Sequence, residues 1–213
     1  MKKRRYNLTD QLLGQLNDAL QTIFGDYQSA RPNPAQSEKN SRLTPEQKKQ
    51  SAGMMRVNHS GEVCAQALYQ GQLLSAKNKK TKSILAKACM EETDHLAWTY
   101  QRLTELKSHR SYLNVFWYIN SCLIGIVAGL CGDQWSLGFV EETENQVSQH
   151  LQTHLDRIAK SDKKSRAILT VMQKEEMHHG QSAAVAGAVE LPRVIKFIMR
   201  LQSKVLTTLA YYV

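Results

Sequence analysis

The stretch KEEMHHG, residues 174–180, decides the fold class of this chain. It contains two overlapping Glu-x-x-His pairs, Glu175/His178 and Glu176/His179. On a helix, either pair places a carboxylate and an imidazole one turn apart on the same face. Pairs of this kind are typical of metal centres inside helical bundles. The stretch therefore predicts a helical bundle with a metal site, and it leaves open which pair binds the metal.

The sequence around this stretch is helical in character. The chain has 213 residues with few Gly and Pro, and it is rich in residues that favour helices, so we expect an all-α fold with one main core. Apolar residues recur at steps of three and four in four segments, at about residues 51–78, 81–107, 136–159 and 163–189. An apolar run at residues 113–132 separates the second segment from the third, as a bundle with a long crossover requires.

Each of the four predicted helices carries a Glu on its apolar stripe. These stripes contain Glu62, then Glu92 with His95, then Glu144, and finally Glu176 with His179. An ionised carboxylate on a core-facing stripe is unfavourable unless it is paired or binds a metal. No Lys or Arg lies on the stripes, so a network of ion pairs is disfavoured. We therefore expect the four carboxylates and two imidazoles to converge on two adjacent cations. Carboxylates with imidazole suit iron or manganese.

Neighbouring acidic residues offer rival registers. On the third helix, only Glu144 shares a face with apolar residues, since Glu141 and Glu142 align with polar side chains. On the second helix, Glu92 has a His three residues later and Glu91 has none. In KEEMHHG, the helical stripe through Glu175 and His178 contains apolar residues, and so does the stripe through Glu176 and His179. Periodicity alone therefore does not exclude Glu175/His178 as the metal-binding pair.

Four segments, taken in order, resemble the demethoxyubiquinone hydroxylase family, which are ferritin-like di-iron monooxygenases of ubiquinone biosynthesis. The segments are RVNHSGE (56–62), EETDH (91–95), VEETENQV (140–147) and EEMHH (175–179). The resemblance covers roughly residues 50–213 and is strongest to bacterial members, which also carry an N-terminal extension. It implies a ferritin-like four-helix bundle with a long crossover segment and extra helices at both termini.

The resemblance also implies a site and a reaction. The implied ligands of two iron ions per chain are Glu62, Glu92, His95, Glu144, Glu176 and His179. Glu92 and Glu176 would bridge the ions, and the family spacing favours the Glu176/His179 pair. The implied reaction hydroxylates a polyprenylated demethoxybenzoquinol ring with O2 and electrons derived from NADH. Other ubiquinone-biosynthesis proteins are candidate partners, and the oligomeric state is left open.

Two units are expected along the chain. Residues 1–45 are predicted to form an amphipathic helix, at residues 9–24, followed by a polar Pro/Ser/Asn linker. Residues 46–213 are predicted to form the catalytic domain. The apolar side of the first helix comprises Leu12, Leu13, Leu16, Leu20, Ile23 and Phe24.

Contact with a membrane surface is also expected. The run at residues 113–131 predicts either a buried crossover helix or one that enters the bilayer interface. The last helix, beginning near Pro192, is basic and amphipathic, which favours peripheral attachment over simple packing on the bundle. Its basic side comprises Arg193, Lys196, Arg200 and Lys204, and its apolar side comprises Ile195, Ile198, Leu201, Val205 and Leu209. Without a C-x-x-C motif, the four cysteines suggest reduced thiols, so we expect the cytoplasmic side of the cell membrane.

Three other functions compete with the hydroxylase. A ferritin-like iron-handling or peroxide-scavenging protein could use the same six ligands, but it would not need the apolar crossover or the basic terminal helix. A non-enzymatic lipid- or quinone-binding scaffold would not need the metal ligands. The net charge of +9 is compatible with nucleic-acid binding, but no module of that kind is visible and the inward carboxylates would be unexplained, so no nucleic-acid partner is expected.

Overall fold

The computed structural model describes residues 8–39 and 42–213, except the side chains of Leu8, Gln11 and Leu12. These residues form seven α-helices and no strand, which confirms the all-α prediction. The helices are α1 (Leu8–Phe24), α2 (Pro45–Ser75), α3 (Lys79–Glu105), α4 (Asn114–Leu130), α5 (Asp133–Arg157), α6 (Lys163–Val185) and α7 (Arg193–Tyr212).

Helices α2, α3, α5 and α6 form the predicted four-helix bundle. Each hairpin, α2 with α3 and α5 with α6, packs extensively on itself, and α3 contacts α6 while α2 contacts α5. One core cluster includes Met54, Trp98 and Leu169, and a second includes Tyr69 and Leu137. The apolar stripes read from the sequence therefore face the interior of one bundle.

Three of the four bundle helices, α2, α3 and α6, begin at residues whose side chains cap the first turn. Thr44 accepts a hydrogen bond from the backbone N–H of Gln47, and the Gln47 side chain accepts one from the N–H of Thr44, with Pro45 at the first helical position. Asn78 caps α3 and Asp162 caps α6 in the same way, through their side-chain oxygens. These caps satisfy N–H groups that the first turn leaves without a partner.

Helix α4 is the crossover between the hairpins, and it lies unusually close to α2. A Cβ atom added to Gly125 would overlap the carbonyl oxygen of Leu68, and one added to Gly71 would overlap that of Cys122. These overlaps involve backbone atoms, which cannot move aside as a flexible side chain can. The glycines therefore set the distance between the two helices.

We expect Gly125→Ala to lower the free energy of unfolding by about 1–3 kcal/mol, because the new methyl group must push α4 away from α2. Thermal or denaturant unfolding of the purified variant measures the loss. Gly61→Ala is the matched control, because a Cβ there meets nothing within 4 Å and Ala favours a helix over Gly. Equal stability of Gly125→Ala and the wild type would contradict the close approach.

The predicted polar linker makes specific contacts with the bundle. Arg110, in the loop before α4, donates hydrogen bonds to the carbonyl oxygens of Ile23 and Gly25, and its guanidinium lies 3.8 Å from the ring centre of Tyr100. Asn33 donates to Gln101 on α3, and the short 3-10 turn Pro34–Ser37 packs on α6. The domain boundary at residue 45 remains a prediction. Within the predicted N-terminal unit, residues 1–45, positions 1–7 and 40–41 lie outside the described residues.

Three helices expose apolar side chains, which we call the three-helix apolar surface. Helix α1 contacts α4, and Ile23 of α1 shares a buried cluster with Tyr118. Helix α7 packs on α2 and α5, and its Leu206 shares a buried cluster with Val57 of α2 and Trp117 of α4. The exposed side chains are Leu13, Leu16, Leu20 and Phe24 of α1, Phe116, Ile119, Leu123 and Val127 of α4, and Phe197, Ile198, Leu201, Val205 and Leu209 of α7. The predicted Leu12 side chain lies outside the described residues.

The exposed apolar side of α7 lies opposite the side that contacts the bundle. Leu206 and Ala210 are buried against the bundle, whereas Phe197 and Leu201 are more than half exposed. Two details differ from the predicted pattern, since Ile195 is half-buried and Lys196 pairs with Glu142 at 3.6 Å. Among residues 8–39 and 42–213, no helix has the length and apolar character needed to cross a membrane.

Candidate metal centre

The four bundle helices bring the six predicted residues together in the interior. The Glu residues belong to four different helices, and each His lies one turn after a Glu on α3 or α6. Two groups form, each with ligand atoms within 4.8 Å of one another: Glu62, Glu92, His95 and Glu176, and then Glu92, Glu144, Glu176 and His179. Glu92 and Glu176 belong to both groups. Each group has three carboxylates and one imidazole.

His95 directs its Nδ1 atom toward the first group. This atom lies 3.1 Å from Glu176 Oε1 and 3.4 Å from oxygens of both Glu62 and Glu92. No hydrogen bond forms at Nδ1, although the atom is completely buried. The opposite ring nitrogen, Nε2, is 2.8 Å from Glu175 Oε2. The Nδ1 lone pair is therefore available to a cation in the first group.

His179 has the same orientation in the second group. Its Nδ1 lies 3.2 Å from Glu176 Oε2, 3.5 Å from Glu92 Oε1 and 3.9 Å from Glu144 Oε1. Its Nε2 is 2.5 Å from Glu91 Oε2. The neighbouring His178 is exposed. The α6 helix thus turns His179 inward and His178 toward solvent.

The two outer carboxylates cross between the hairpins. Glu91 precedes Glu92 on α3 but contacts the His of α6, and Glu175 precedes Glu176 on α6 but contacts the His of α3. An acceptor on the outer nitrogen fixes the orientation and tautomer of a metal-binding imidazole. Glu91 of α3 therefore orients the imidazole of His179 on α6, and Glu175 of α6 orients that of His95 on α3.

The charges in this interior are strongly coupled. Burial raises the pKa of Glu92 and of Glu144 well above the usual range, and the charge of Glu176 adds to the effect. Burial alone would also raise the pKa of Glu176, but the hydrogen bond from His179 and the charge of His95 outweigh it and hold that pKa well below its usual range. Protons therefore remain on some carboxyl groups when no cation is bound.

The imidazoles respond to the same carboxylates. Burial lowers the pKa of His179, but its hydrogen bond to Glu176 and the charge of Glu92 reverse the effect and raise the pKa to about 9. The pKa of His95 is likewise raised well above its usual value, since the charge of Glu92 and the hydrogen bond to Glu175 outweigh burial. Protonated imidazoles thus supply the positive charge that the carboxylates need in the metal-free protein.

The donor set fits two divalent cations. Both oxygens of Glu92 and of Glu144 are buried without a hydrogen-bond partner, as is Oε1 of Glu176. Buried carboxylate oxygens are normally paired, so unpartnered ones that face a common point indicate a cation-binding site. Four carboxylates and two neutral imidazoles carry a charge that two divalent cations would neutralise.

We expect metal-free Glu144→Gln to be more stable than the metal-free wild type at pH 7, by about 1–3 kcal/mol. The native pKa of Glu144 is raised, so the native state keeps a proton that the unfolded chain loses above about pH 4.5. The free energy of unfolding of the wild type therefore falls as the pH rises from 4.5 toward 7. Denaturant unfolding with a chelator at both pH values measures the difference.

The control for Glu144→Gln is Glu141→Gln, which removes a carboxyl group from a half-buried position on the same helix. The stability difference between Glu144→Gln and the wild type is expected to shrink toward pH 4.5. A difference of the same size at both pH values would contradict the raised pKa.

A cavity of about 150 Å³ reaches the metal centre from one side. Helices α2, α4, α5 and α7 surround it, and Glu62 is the only carboxylate among the described residues that line it. Its apolar lining includes Ala65, Leu68, Ile124 and Val147, and Met199 and Leu206 of α7 close the outer side. The cavity can hold an apolar molecule with one end against Glu62.

Comparison with known proteins places this geometry in a family. The family described as "Ubiquinone biosynthesis protein COQ7" matches residues 49–210, which include all four bundle helices apart from the first turn of α2. The chain belongs to the COQ7 family. Its helical bundle is thereby confirmed as ferritin-like, the architecture that the resemblance of the sequence segments implied.

The COQ7 match extends to relatives over the whole chain. A "3-demethoxyubiquinol 3-hydroxylase" of Coxiella burnetii (strain RSA 493 / Nine Mile phase I) is 53% identical over 210 residues, 99% of this chain and 98% of the relative. Proteins of the same description from Polynucleobacter asymbioticus and Legionella pneumophila (strain Corby) are each 49% identical. They cover 96% and 99% of this chain, and 99% and 100% of their own lengths.

The sequence does not predict the contacts of three residues of this COQ7 centre. No His follows Glu91 at the right interval, so Glu92 is favoured, and Glu175 enters as half of the rival pair Glu175/His178 or as a neighbour of the second pair. Arg31 was placed in a polar linker, yet it contacts Glu175. The repeated Glu-Glu doublet in EETDH and EEMHH was the available signal for the first two. No local pattern in the sequence marks Arg31.

Proposed function

We propose that this chain hydroxylates the ring of demethoxyubiquinol in ubiquinone biosynthesis, as its relatives' name describes. The observation that carries the proposal is the pair of buried Glu/His groups sharing Glu92 and Glu176. An apolar cavity meets this pair at Glu62, so a hydrophobic ring has access to the centre. A di-iron monooxygenase needs its metal centre and its substrate site next to each other.

The six convergent residues are the ligands of two iron ions in this proposal. Glu62 and His95 would bind one ion, Glu144 and His179 the other, and Glu92 and Glu176 would bridge them. Bound iron supplies the activation of O2, which carboxylates and imidazoles cannot perform alone. The protein holds the ligands in a dry interior and orients each imidazole through an outer carboxylate.

The substrate ring occupies the cavity beneath α7, with its reacting carbon toward Glu62. The apolar walls exclude water, and the polyprenyl tail leaves between α4 and α7 toward the three-helix apolar surface. One oxygen atom of O2 enters the ring and replaces a hydrogen. The other leaves as water after two electrons and two protons are supplied, and the electrons derive from NADH.

The three-helix apolar surface is the proposed site of peripheral attachment to the cytoplasmic side of the cell membrane. A polyprenyl quinol partitions into the bilayer, so its enzyme must meet lipid. Arg193, Arg200 and Lys204 are exposed on α7 and can contact anionic headgroups while the apolar side enters the interface. Lys196 is excluded from that role because it pairs with Glu142 and Glu190.

The test supplies the iron-loaded full-length protein with demethoxyubiquinone, NADH, O2 and an NADH-dependent reductase. We expect the hydroxylated ring as product, with one oxygen atom derived from 18O2. We also expect the wild-type gene, but not Glu176→Ala, to restore ubiquinone in a strain that lacks the hydroxylase.

An iron-loaded, folded protein that yields no hydroxylated product under these conditions would overturn the proposed reaction. Oxidation of added iron or consumption of peroxide, with no effect of the quinol, would instead support the iron-handling alternative. The apolar cavity at Glu62 favours the hydroxylase, because ions and peroxide need no apolar site.

A further inference from the structure

Arg31 joins the N-terminal segment to helices α3 and α6 of the metal centre. Its guanidinium forms two hydrogen bonds with Glu175 on α6, of 2.5 and 3.0 Å, and a third with Asp94 on α3. The backbone N–H of Ala30 donates to the other oxygen of Asp94 at 2.7 Å. The Arg31 guanidinium also lies 4.9 Å from the ring centre of Trp98. The Arg31 side chain is thus held by Glu175, Asp94 and Trp98.

These contacts lie directly outside His95. Glu175 Oε2 lies 2.8 Å from His95 Nε2 and 3.0 Å from the Arg31 guanidinium, so one carboxylate links Arg31 to the imidazole. Asp94 immediately precedes His95 in α3 and is buried. A shift of Arg31 would release Glu175, the group that fixes the outer nitrogen of His95.

The second half of the centre has no equivalent support among the described residues. Glu91, the outer carboxylate of His179, has Lys87 as its cationic neighbour, one turn earlier on the same helix. Their separation is 3.6 Å and the Lys87 side chain is 61% exposed. Exposed pairs of this kind contribute little, and a Lys cannot form the planar two-bond contact of an Arg.

We infer that Arg31 is a positioning residue for the His95 half of the metal centre, a role that rests on the proposed function of that centre. The bidentate contact holds Glu175 as acceptor for the outer N–H of His95. The Nδ1 lone pair then faces Glu62, Glu92 and Glu176, where a cation binds. The N-terminal segment is therefore part of the metal centre.

Metal binding tests this role directly. Full-length protein is freed of metal with a chelator and titrated anaerobically with Co²⁺, whose visible absorption reports both the number of ions and their coordination. We expect Arg31→Gln to weaken binding by about 10- to 100-fold and to change the spectrum of one Co²⁺ ion, as loss of an outer partner typically does. Arg31→Lys keeps the charge but loses the two-bond contact, so it should restore only part of the affinity.

Two controls separate positioning from general docking. Lys87→Gln removes the cation beside Glu91 and should change the affinity by less than about threefold. Asn33→Ala removes the Asn33–Gln101 hydrogen bond and the Asn33 cap on the N–H of Ala35. Both belong to the same segment and neither contacts Glu175 or His95, so the Co²⁺ spectrum should be unchanged. Glu175→Gln combined with Arg31→Gln should weaken binding no more than the stronger single change, because Arg31 acts through Glu175.

Each outcome has a defined meaning. Wild-type affinity and spectrum in Arg31→Gln would overturn the inference, and so would equal losses in Arg31→Gln and Asn33→Ala. A wild-type protein that binds no Co²⁺ or Fe²⁺ would instead overturn the proposed metal centre itself. Thermal unfolding of each metal-free variant confirms that the compared proteins are folded.

Discussion

In the variant His179→Ala, we expect the affinity for Fe²⁺ to fall by at least about 100-fold, whereas His178→Ala keeps wild-type metal content. His179 is buried, and its Nδ1 lies within 3.5 Å of both Glu92 and Glu176. His178 is exposed on the outer side of α6. Loss of a metal ligand should lower the affinity more than loss of an outer hydrogen-bond partner, which typically lowers metal affinity by about 10- to 100-fold.

The measurement is iron per folded chain after dialysis, together with product formed from demethoxyubiquinone. The two variants differ by one position in the sequence and remove the same side chain, so composition and helix propensity are matched. Loss of iron in His178→Ala, with retention in His179→Ala, would show that the helix binds metal in the other register. Loss in both variants would show that His178 also supports the centre.

A double substitution, Phe197→Glu with Leu201→Glu, should weaken binding to anionic vesicles by roughly 100-fold or more. Both side chains are more than half exposed on α7. Burial of an apolar side chain of this size contributes about 1.5–3 kcal/mol, and insertion of a carboxylate opposes burial further. Sedimentation of the protein with vesicles that contain an anionic lipid measures the change.

The control for this pair is Val185→Glu, which places a carboxylate on an exposed apolar residue of α6 outside the three-helix apolar surface. It should leave vesicle binding within about threefold of the wild type, as expected for a distant surface charge screened by salt. Metal content should be unchanged in both variants. Wild-type vesicle binding by the α7 variant would contradict attachment through this helix.

The bundle could be predicted from sequence because its determinants are local. The apolar stripes of α2, α3, α5 and α6 repeat at the period of a helix, and Thr44 and Pro45 mark the start of α2. A Glu on an apolar stripe is also a local signal, because its burial without a counter-charge requires another partner. Glu62, Glu92, His95 and Glu144 follow from these two observations, whereas the choice of Glu176 and His179 over Glu175 and His178 depends on the family resemblance.

The remaining features depend on contacts between distant parts of the chain. Arg31 meets Asp94 and Glu175 only when the segment before α2 folds back on the bundle, and its sequence context is that of a linker. The crossing of Glu91 and Glu175 between hairpins likewise requires the relative rotation of α3 and α6. The exposed side of α1 was read as an apolar stripe, but only its placement beside α4 shows that it faces away from the core.

The position of the cavity beneath α7 affects how turnover should depend on lipid. The same helix closes the cavity and carries part of the three-helix apolar surface, so with the proposed membrane attachment the quinol would pass from the bilayer into the protein without crossing water. The concentration that governs the rate is then the number of quinol molecules per unit area of membrane. When all of the enzyme is bound, more lipid at constant total quinol dilutes the substrate in two dimensions and slows the reaction, although the quinol concentration per unit volume stays the same.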